Sequence, residues 1–205
     1  MNGARSPVTE SASGLRRLLE VLKDLGIPFL IGGSLASSAH GVPRATMDVD
    51  LVADLKRDQI APLADALGSD FYADARAMEE ALHAGRSFNL IHYATSYKFD
   101  VFPLAPDPFH QTEFLRRITV QADFIGTGPL ELPLATAEDT VLSKLNWYRA
   151  GGEVSARQWD DVLGVLRVSG RQLDMDYLRK WSQRLGIEDL LDRALSAASQ
   201  HQARL

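Results

Sequence analysis

The chain has 205 residues, of which 45% are hydrophobic and 24% charged, and its formal net charge is −5 at pH 7. This composition is typical of globular proteins and excludes a disordered or fibrous chain. No run approaches the ~18 apolar residues that cross a bilayer, and the first residues lack the apolar centre of a signal peptide. We therefore expect a soluble, cytoplasmic protein with no membrane partner. The acidic balance also disfavours a protein that coats nucleic acid through a broad basic face.

The sequence contains no cysteine, which excludes a disulfide framework and a thiolate metal site. Any metal would therefore be held by oxygen or imidazole ligands. Three of the histidines, His83, His92 and His110, share no metal-ligand spacing. The sequence thus favours Mg²⁺ or Mn²⁺ over structural zinc.

The first part of the chain predicts helices and strands in alternation. Leucines at helical spacing predict an amphipathic helix over residues 12–25, and the apolar run Ile27 to Ile31 predicts a buried strand. Ser34 is expected to cap a short helix that ends at Gly41. A strand at Asp48 to Ala53 and a helix at 57–67 follow. A brief strand begins at Phe71, and a helix is expected at Ala75 to Ala84.

The middle of the chain predicts a β-hairpin. Its arms are Ser87 to Tyr93 and Tyr97 to Phe102, and the second arm alternates between apolar and polar residues. Asp100 therefore lies on the face opposite its apolar neighbours. A short helix and a further strand are expected after it, at Phe109 to Arg116 and at Ile118 to Ile125.

A change of composition at the glycine-rich segment 126–129 predicts a domain boundary. We place a mixed α and β domain at residues 1–128 and a helical C-terminal domain at residues 129–205. In the second domain, Thr136 and Ser155 each precede a polar partner by three residues, as in a capping box. Helices are predicted to end near Arg149 and Val168, and two more are expected at 174–185 and 187–199.

Two aspartates on one predicted strand are the strongest indication of function. Asp48 and Asp50 are two residues apart, so they share a face while Val49 and Leu51 turn towards the core. Because close carboxylates repel, a divalent cation between their oxygens would stabilise them. Asp100, also on a strand between apolar neighbours, is the best candidate for a third ligand. Three carboxylates leave positions for water and phosphate, as in polymerase-type sites where two ions activate a hydroxyl and stabilise pyrophosphate.

The turn Gly32-Gly33-Ser34 suits phosphate binding. Glycines permit close approach of the backbone, and the N–H groups at the start of the next helix favour an anion. Taken alone, such a turn more often serves only as a helix cap. Its combination with Asp-x-Asp on the next strand and an aspartate on a later strand is much more specific. Arg44, in the loop before the aspartates, either reaches a phosphate or is simply solvated.

Through Gly33-Ser34, Asp48-Val49-Asp50 and Asp100, the chain resembles the nucleotidyltransferase superfamily of the DNA polymerase β type, over about residues 27–103. The run GVPRATMDVDLV is most similar to the AbiEii-type bacterial nucleotidyltransferases and the related minimal nucleotidyltransferases, some of which act as toxins or antitoxins. The AbiEii pattern also has a lysine and a basic residue separated by four residues, and later an arginine and an aspartate separated by three. Two pairs fit these spacings: Lys144 with Arg149, and Arg157 with Asp161.

Those charged residues also have ordinary structural explanations. Arg157 and Asp161 lie one helical turn apart, so we interpret them first as a structural ion pair. Lys144 and Arg149 are equally compatible with a solvated helix surface. The resemblance is what favours a functional role for Lys144.

The resemblance implies an α+β fold with α/β-like character, in which a mixed sheet is flanked by helices and followed by a helical region. The domain 1–128 would then be catalytic. It would transfer a nucleoside monophosphate from an NTP to an acceptor hydroxyl and release pyrophosphate, with Mg²⁺ or Mn²⁺ as cofactor. The implied catalytic residues are Asp48, Asp50, Asp100 and Lys144, the three aspartates also being the metal ligands. The implied nucleotide-binding residues are Gly32, Gly33, Ser34, Arg44 and Arg149.

The acceptor stays open between a tRNA end, a cognate partner protein and a small molecule. A rival interpretation is a catalytically silent module that keeps the fold for binding or regulation, like an antitoxin. The presence of all three aspartates and the Gly-Ser turn favours the enzyme. Nucleotide preference and oligomeric state have no signal in the sequence.

Overall fold

The computed structural model describes residues 7–122 and 130–202, which divide into two compact units. We call residues 1–31 and 47–134 the sheet unit, and residues 32–46 and 135–205 the helical unit. The strands are β1 Phe29–Ile31, β2 Asp48–Ala53, β3 Phe71–Tyr72, β4 Phe88–His92, β5 Lys98–Pro103, β6 Ile118–Ala122 and β7 Leu130–Leu134. The helices are α1 Pro7–Asp24, α2 Gly33–His40, α3 Ile60–Leu67, α4 Ala75–His83, α5 Pro108–Arg116, α6 Ala137–Ala150, α7 Ala156–Ser169, α8 Met175–Leu185 and α9 Glu188–Gln202.

The described strands form one mixed sheet in the order β3-β4-β5-β2-β1-β7-β6. Strands β2 and β5 are parallel neighbours at its centre, and β4 and β5 form the predicted hairpin. Alternate residues of the central strands are buried, among them Val49, Leu51, Leu90 and Phe99. This alternation leaves the opposite face of β2 and β5 for polar side chains.

The helical unit consists of α2 and the helices from α6 onwards. The predicted caps form, because the Thr136 hydroxyl accepts from the N–H of Asp139 and the Ser155 hydroxyl accepts from the N–H of Gln158. Within this unit α2 contacts both α6 and α7. A Cβ at Gly41 would lie 2.7 Å from the backbone nitrogen of Val165, so the chain after α2 approaches α7 too closely for a side chain.

The mixed α+β class is confirmed, and most predicted elements lie within a few residues of their expected positions. Two predictions were wrong. Ser34 does not cap α2, because the cap is Gly32 and Ser34 lies in the first turn. The helical domain predicted at residues 129–205 starts too early, because β7, Leu130–Leu134, pairs with β6 and, at Leu134, with β1.

The predicted domain boundary at residue 128 lies outside the described residues, as does the end of the predicted strand at Ile125. The compact units divide the chain elsewhere. Strand β7 belongs to the sheet unit because its ladder partners are there, and residues 32–46 belong to the helical unit because α2 packs on α7. The assignment of catalysis to residues 1–128 stays a prediction. Among the described residues, no helix has the length and apolar character needed to cross a membrane.

Candidate active site

Four charged side chains on the polar face of β2 and β5 form the first candidate cluster, which we call the carboxylate cluster. In the parallel ladder, Asp50 lies directly opposite Asp100, and Asp48 lies directly opposite Lys98. Asp48 is exposed and Asp50 half-buried, whereas Val49 between them is buried. The strand alternation thus brings the three predicted metal ligands to one face, on neighbouring strands and in matching positions.

Lys98 is a member of this cluster that the motif analysis did not identify. Its Nζ lies 2.9 Å from Oδ2 of Asp100 and 3.8 Å from Oδ1 of Asp48. The hydrogen bond to Asp100 raises the pKa of Lys98 above its ordinary value, and the negative charges of Asp100, Asp48 and Asp50 add to the effect. Lys98 is therefore a stable ammonium among the carboxylates.

The chemistry of the donor set fits a hard divalent cation, because it offers carboxylate oxygens from adjacent strands. The side chains themselves are not arranged around an ion. Among the described residues, no group of three or more acidic or histidine side chains is arranged to hold a metal. Asp48, Asp50 and Asp100 are the residues that would hold Mg²⁺ or Mn²⁺, and the Lys98 ammonium contacts oxygens of two of them, Asp100 and Asp48.

The glycine-rich turn after β1 begins the helical unit. Gly33 has φ +54°, in the left-handed region that favours glycine over residues with a side chain. The cap residue Gly32 makes no side-chain hydrogen bond to the helix, so the first N–H groups of α2 are not capped by that residue. The conformation is therefore compatible with the anion-binding role predicted for the turn.

A second cluster in the helical unit joins Ser34, Arg44, Lys144 and Asp161, and we call it the Asp161 cluster. Arg44 donates to both carboxylate oxygens of Asp161, from Nε at 2.8 Å and from Nη2 at 3.0 Å. Nη2 of Arg44 also donates to the Ser34 hydroxyl. Nζ of Lys144 lies 2.8 Å from Oδ2 of Asp161. One carboxylate thus holds two cations, one of which contacts the predicted phosphate-binding serine.

The Asp161 cluster is largely buried. The side chains of Asp161 and Lys144 are 6% and 10% exposed, while that of Arg44 is 27% exposed. Burial raises the pKa of Asp161, but the hydrogen bonds from Arg44 and Lys144 outweigh burial and leave its pKa below the ordinary value. The carboxylate is therefore ionised at neutral pH and keeps both cations in place.

The structure brings the predicted residues together in part. The three aspartates, Asp48, Asp50 and Asp100, share one sheet face. In the helical unit, Ser34, Arg44 and Lys144 belong to the Asp161 cluster. The Gly32-Gly33 turn directly precedes Ser34 in the sequence. Arg149 is placed elsewhere within the helical unit. Its guanidinium lies 2.6 Å from Asp189 and 3.3 Å from Glu153, on an exposed surface.

The sequence contains an indication for two members of these clusters, Lys98 and Asp161, that did not lead to their correct assignment. Lys98 stands two residues before Asp100, and strand alternation alone places both on one face. Asp161 fits the AbiEii spacing, but its interpretation as the ion-pair partner of Arg157 was wrong because Arg44 and Lys144 are its partners. The pairing with Arg44 spans 117 residues of sequence, which no local pattern can indicate.

Comparison with known proteins supports the fold. The sequence matches no family model, and the curated proteins contain no significant match. The solution structure of the antibiotic-resistance factor ANT(2'')-Ia is similar to this chain, with a TM-score of 0.51 and 13% identity over 96% of this chain and 99% of that chain. The crystal structure of ANT(2'')-Ia with adenylyl-2''-tobramycin has a TM-score of 0.49 and 13% identity over 86% of this chain and 97% of that chain. An antigenic nucleotidyltransferase-like protein from Paracoccidioides brasiliensis has a TM-score of 0.46 and 16% identity, over 90% and 92%.

The expected fold is therefore confirmed: the chain has a nucleotidyltransferase-type fold with a mixed sheet. At this level of identity the similarity establishes the fold alone.

Proposed function

We propose that this protein is a metal-dependent nucleotidyltransferase, which transfers a nucleoside monophosphate from an NTP to an acceptor hydroxyl. The observation that supports it most directly is the register of β2 and β5, which sets Asp50 opposite Asp100 with Asp48 on the same face. Carboxylates on a polar sheet face, held by strands whose other face is core, offer the oxygen donors that Mg²⁺ and Mn²⁺ prefer. The nucleotidyltransferase fold agrees with this activity.

In the proposed reaction, the acceptor oxygen attacks the α-phosphorus, the bond to the bridging oxygen breaks, and pyrophosphate leaves. The divalent cation, when bound by the carboxylate cluster, offsets the negative charge of the triphosphate. Asp100 has the additional role of taking the proton from the acceptor hydroxyl, as a general base within hydrogen-bond reach would. Asp48 and Asp50 serve only as ligands.

The helical unit carries the residues that the resemblance assigns to phosphate binding. The turn at Gly32 and Gly33 offers backbone N–H groups, and Ser34 offers its hydroxyl. Arg44 provides a planar set of donors suited to phosphate oxygens, and Asp161 fixes its orientation through two hydrogen bonds. Lys144, held by the same carboxylate, adds positive charge. A nucleotide-binding role for Arg149 stays a prediction, because its guanidinium is engaged by Asp189.

The acceptor and biological setting belong to the finer part of the proposal. An AbiEii-like enzyme would act on a tRNA end or on a hydroxyl of a cognate protein, in some cases as the toxin of a toxin–antitoxin pair. A small-molecule hydroxyl is the third class of acceptor, and the fold shared with the antibiotic-resistance factor ANT(2'')-Ia is compatible with it. A cytoplasmic location, where NTPs and Mg²⁺ are abundant, stays a prediction.

The proposal is tested by incubating the protein with Mg²⁺, each labelled NTP in turn, and bulk tRNA, lysate protein or an aminoglycoside. We expect label transfer to one acceptor class, lost in Asp50→Asn by at least ~100-fold because a metal ligand is removed. The matched control is Asp54→Asn, an aspartate just beyond the end of β2 whose partner is Lys56. Transfer that survives Asp50→Asn would refute the assigned site.

The second candidate function is a catalytically silent binding or regulatory module. One observation favours it: the Lys98 ammonium contacts Asp100 and Asp48, the carboxylates that would otherwise bind a metal ion. NTP binding without transfer to any acceptor class, unchanged by added Mn²⁺, would select this alternative.

A further inference from the structure

Lys98 has a position that the proposed reaction does not explain. Its side chain shares the sheet face with the proposed ligands, and its Nζ contacts Asp100 and Asp48 from two neighbouring strands. Three carboxylates and one ammonium make a cluster with a formal charge of −2 at neutral pH. Without the ammonium, three negative charges would face each other on adjacent strands, which is destabilising.

We propose that Lys98 is the resident counter-ion of the carboxylate cluster and that a divalent cation binds there in competition with its ammonium. This inference rests on the proposed function, since it concerns the same site. In the metal-free protein Lys98 neutralises Asp100 and reaches towards Asp48. On metal binding, the ammonium leaves these oxygens and turns towards solvent.

The competition follows from charge and reach. An ion bound by Asp100 and Asp48 would use oxygens that the ammonium now contacts, and like charges so close repel. Lysine is a compact charge on a flexible four-carbon chain, so it can withdraw without moving the strand. The Lys98 side chain is 39% exposed, which leaves a route to water.

This device has a functional consequence. A site whose negative charge is partly balanced by Lys98 would bind free Mg²⁺ weakly, whereas an NTP-bound ion would bring extra ligands and displace Lys98 more easily. The protein would then bind metal and nucleotide together, and metal-free protein would keep its sheet face intact.

The test is direct Mn²⁺ binding by the full chain without nucleotide, measured by electron paramagnetic resonance of free Mn²⁺. The variant is Lys98→Met, which keeps an unbranched side chain one atom shorter and removes the charge. Lys98→Gln is a second variant that retains polarity. The matched control is Lys56→Met, which removes an exposed lysine paired with Asp54 in the same unit. We expect both Lys98 variants to bind Mn²⁺ about tenfold more tightly than the wild type, about 1.4 kcal/mol, and the control to be unchanged.

Thermal unfolding gives an independent readout. Without metal, Lys98→Met should have a lower Tm than Lys56→Met because the carboxylates lose their counter-ion. Mn²⁺ should then raise the Tm of Lys98→Met more than that of the wild type, since stabilisation grows with affinity.

The outcomes separate this inference from the proposed function. Equal or weaker Mn²⁺ binding by both Lys98 variants, with label transfer by the wild type intact, would overturn the competition and leave the nucleotidyltransferase proposal standing. Absence of Mn²⁺ binding in the wild type and both variants, with nucleotide as well as without it, would overturn both.

Discussion

Replacement of Asp161 by asparagine should destabilise the helical unit by about 3 kcal/mol. The carboxylate is nearly buried and holds Lys144 and Arg44, so its removal leaves a Lys144 ammonium that is 10% exposed without its counter-charge. Breaking a buried ion pair in this way typically costs ~3–5 kcal/mol. We expect the lower end of that range because Arg44 is 27% exposed and can be hydrated.

Two further variants make the expected magnitude specific. Lys144→Met should cost less, about 1 kcal/mol, because Asp161 keeps its two hydrogen bonds from Arg44 and methionine fills a similar volume. Asp160→Asn is the matched control, since this aspartate is exposed on the same helix. It should change the free energy of unfolding by less than ~0.5 kcal/mol.

Tryptophan fluorescence during urea and thermal unfolding is a suitable assay. All three tryptophans, Trp147, Trp159 and Trp181, belong to the helical unit, so their signal reports on that unit. For a chain of this size, 3 kcal/mol corresponds to a fall in Tm of about 6–12 °C. The reasoning would be refuted if the free energy of unfolding of Asp161→Asn lay within ~1 kcal/mol of that of Asp160→Asn. It would also be refuted if Lys144→Met lost more stability than Asp161→Asn.

The remaining predictions concern pH, packing and the carboxylates. The pKa of Asp161 is lowered in the folded state, so its contribution to the free energy of unfolding is complete above the ordinary aspartate pKa of ~3.9 and is lost as the pH falls through its folded pKa. In acid, the free energy of unfolding should therefore fall more steeply with pH for the wild type than for Asp161→Asn. Gly41→Ala should lower the free energy of unfolding by ~1–3 kcal/mol in denaturant, because its Cβ would lie under 3 Å from backbone atoms of Gly164 and Val165. The control Gly170→Ala places its Cβ in open space and should be near neutral. Equal losses in the two variants would contradict the close packing at Gly41. Asp50→Asn should leave the metal-free Tm within ~3 °C of wild type, because one of several like charges is removed, and a much larger fall in calorimetry would show that Asp50 is structural.

Local patterns determined much of the architecture. The alternation in β2 and β5 was sufficient to predict which side chains face the core, because a strand has a period of two residues. The hydroxyl caps at Thr136 and Ser155 were predictable for a similar reason, since a cap and its partner are three residues apart. Strand β7 was missed because Pro133 lowers the expectation of a strand. Its pairing with β6 depends on residues elsewhere in the chain.

The sequence by itself was enough to predict that Asp48 and Asp50 share the polar face of one strand and that Asp100 lies on the polar face of a later strand, because the alternation along a strand is local geometry. Only the tertiary structure decided that β2 and β5 pair in parallel with Asp50 opposite Asp100, which placed Lys98 opposite Asp48. It also decided that Asp161 binds Arg44 and Lys144. Such contacts depend on how segments that are distant in sequence pack together. This packing is determined by the burial of whole apolar faces of helices and strands, and the identity of a single residue does not reveal it.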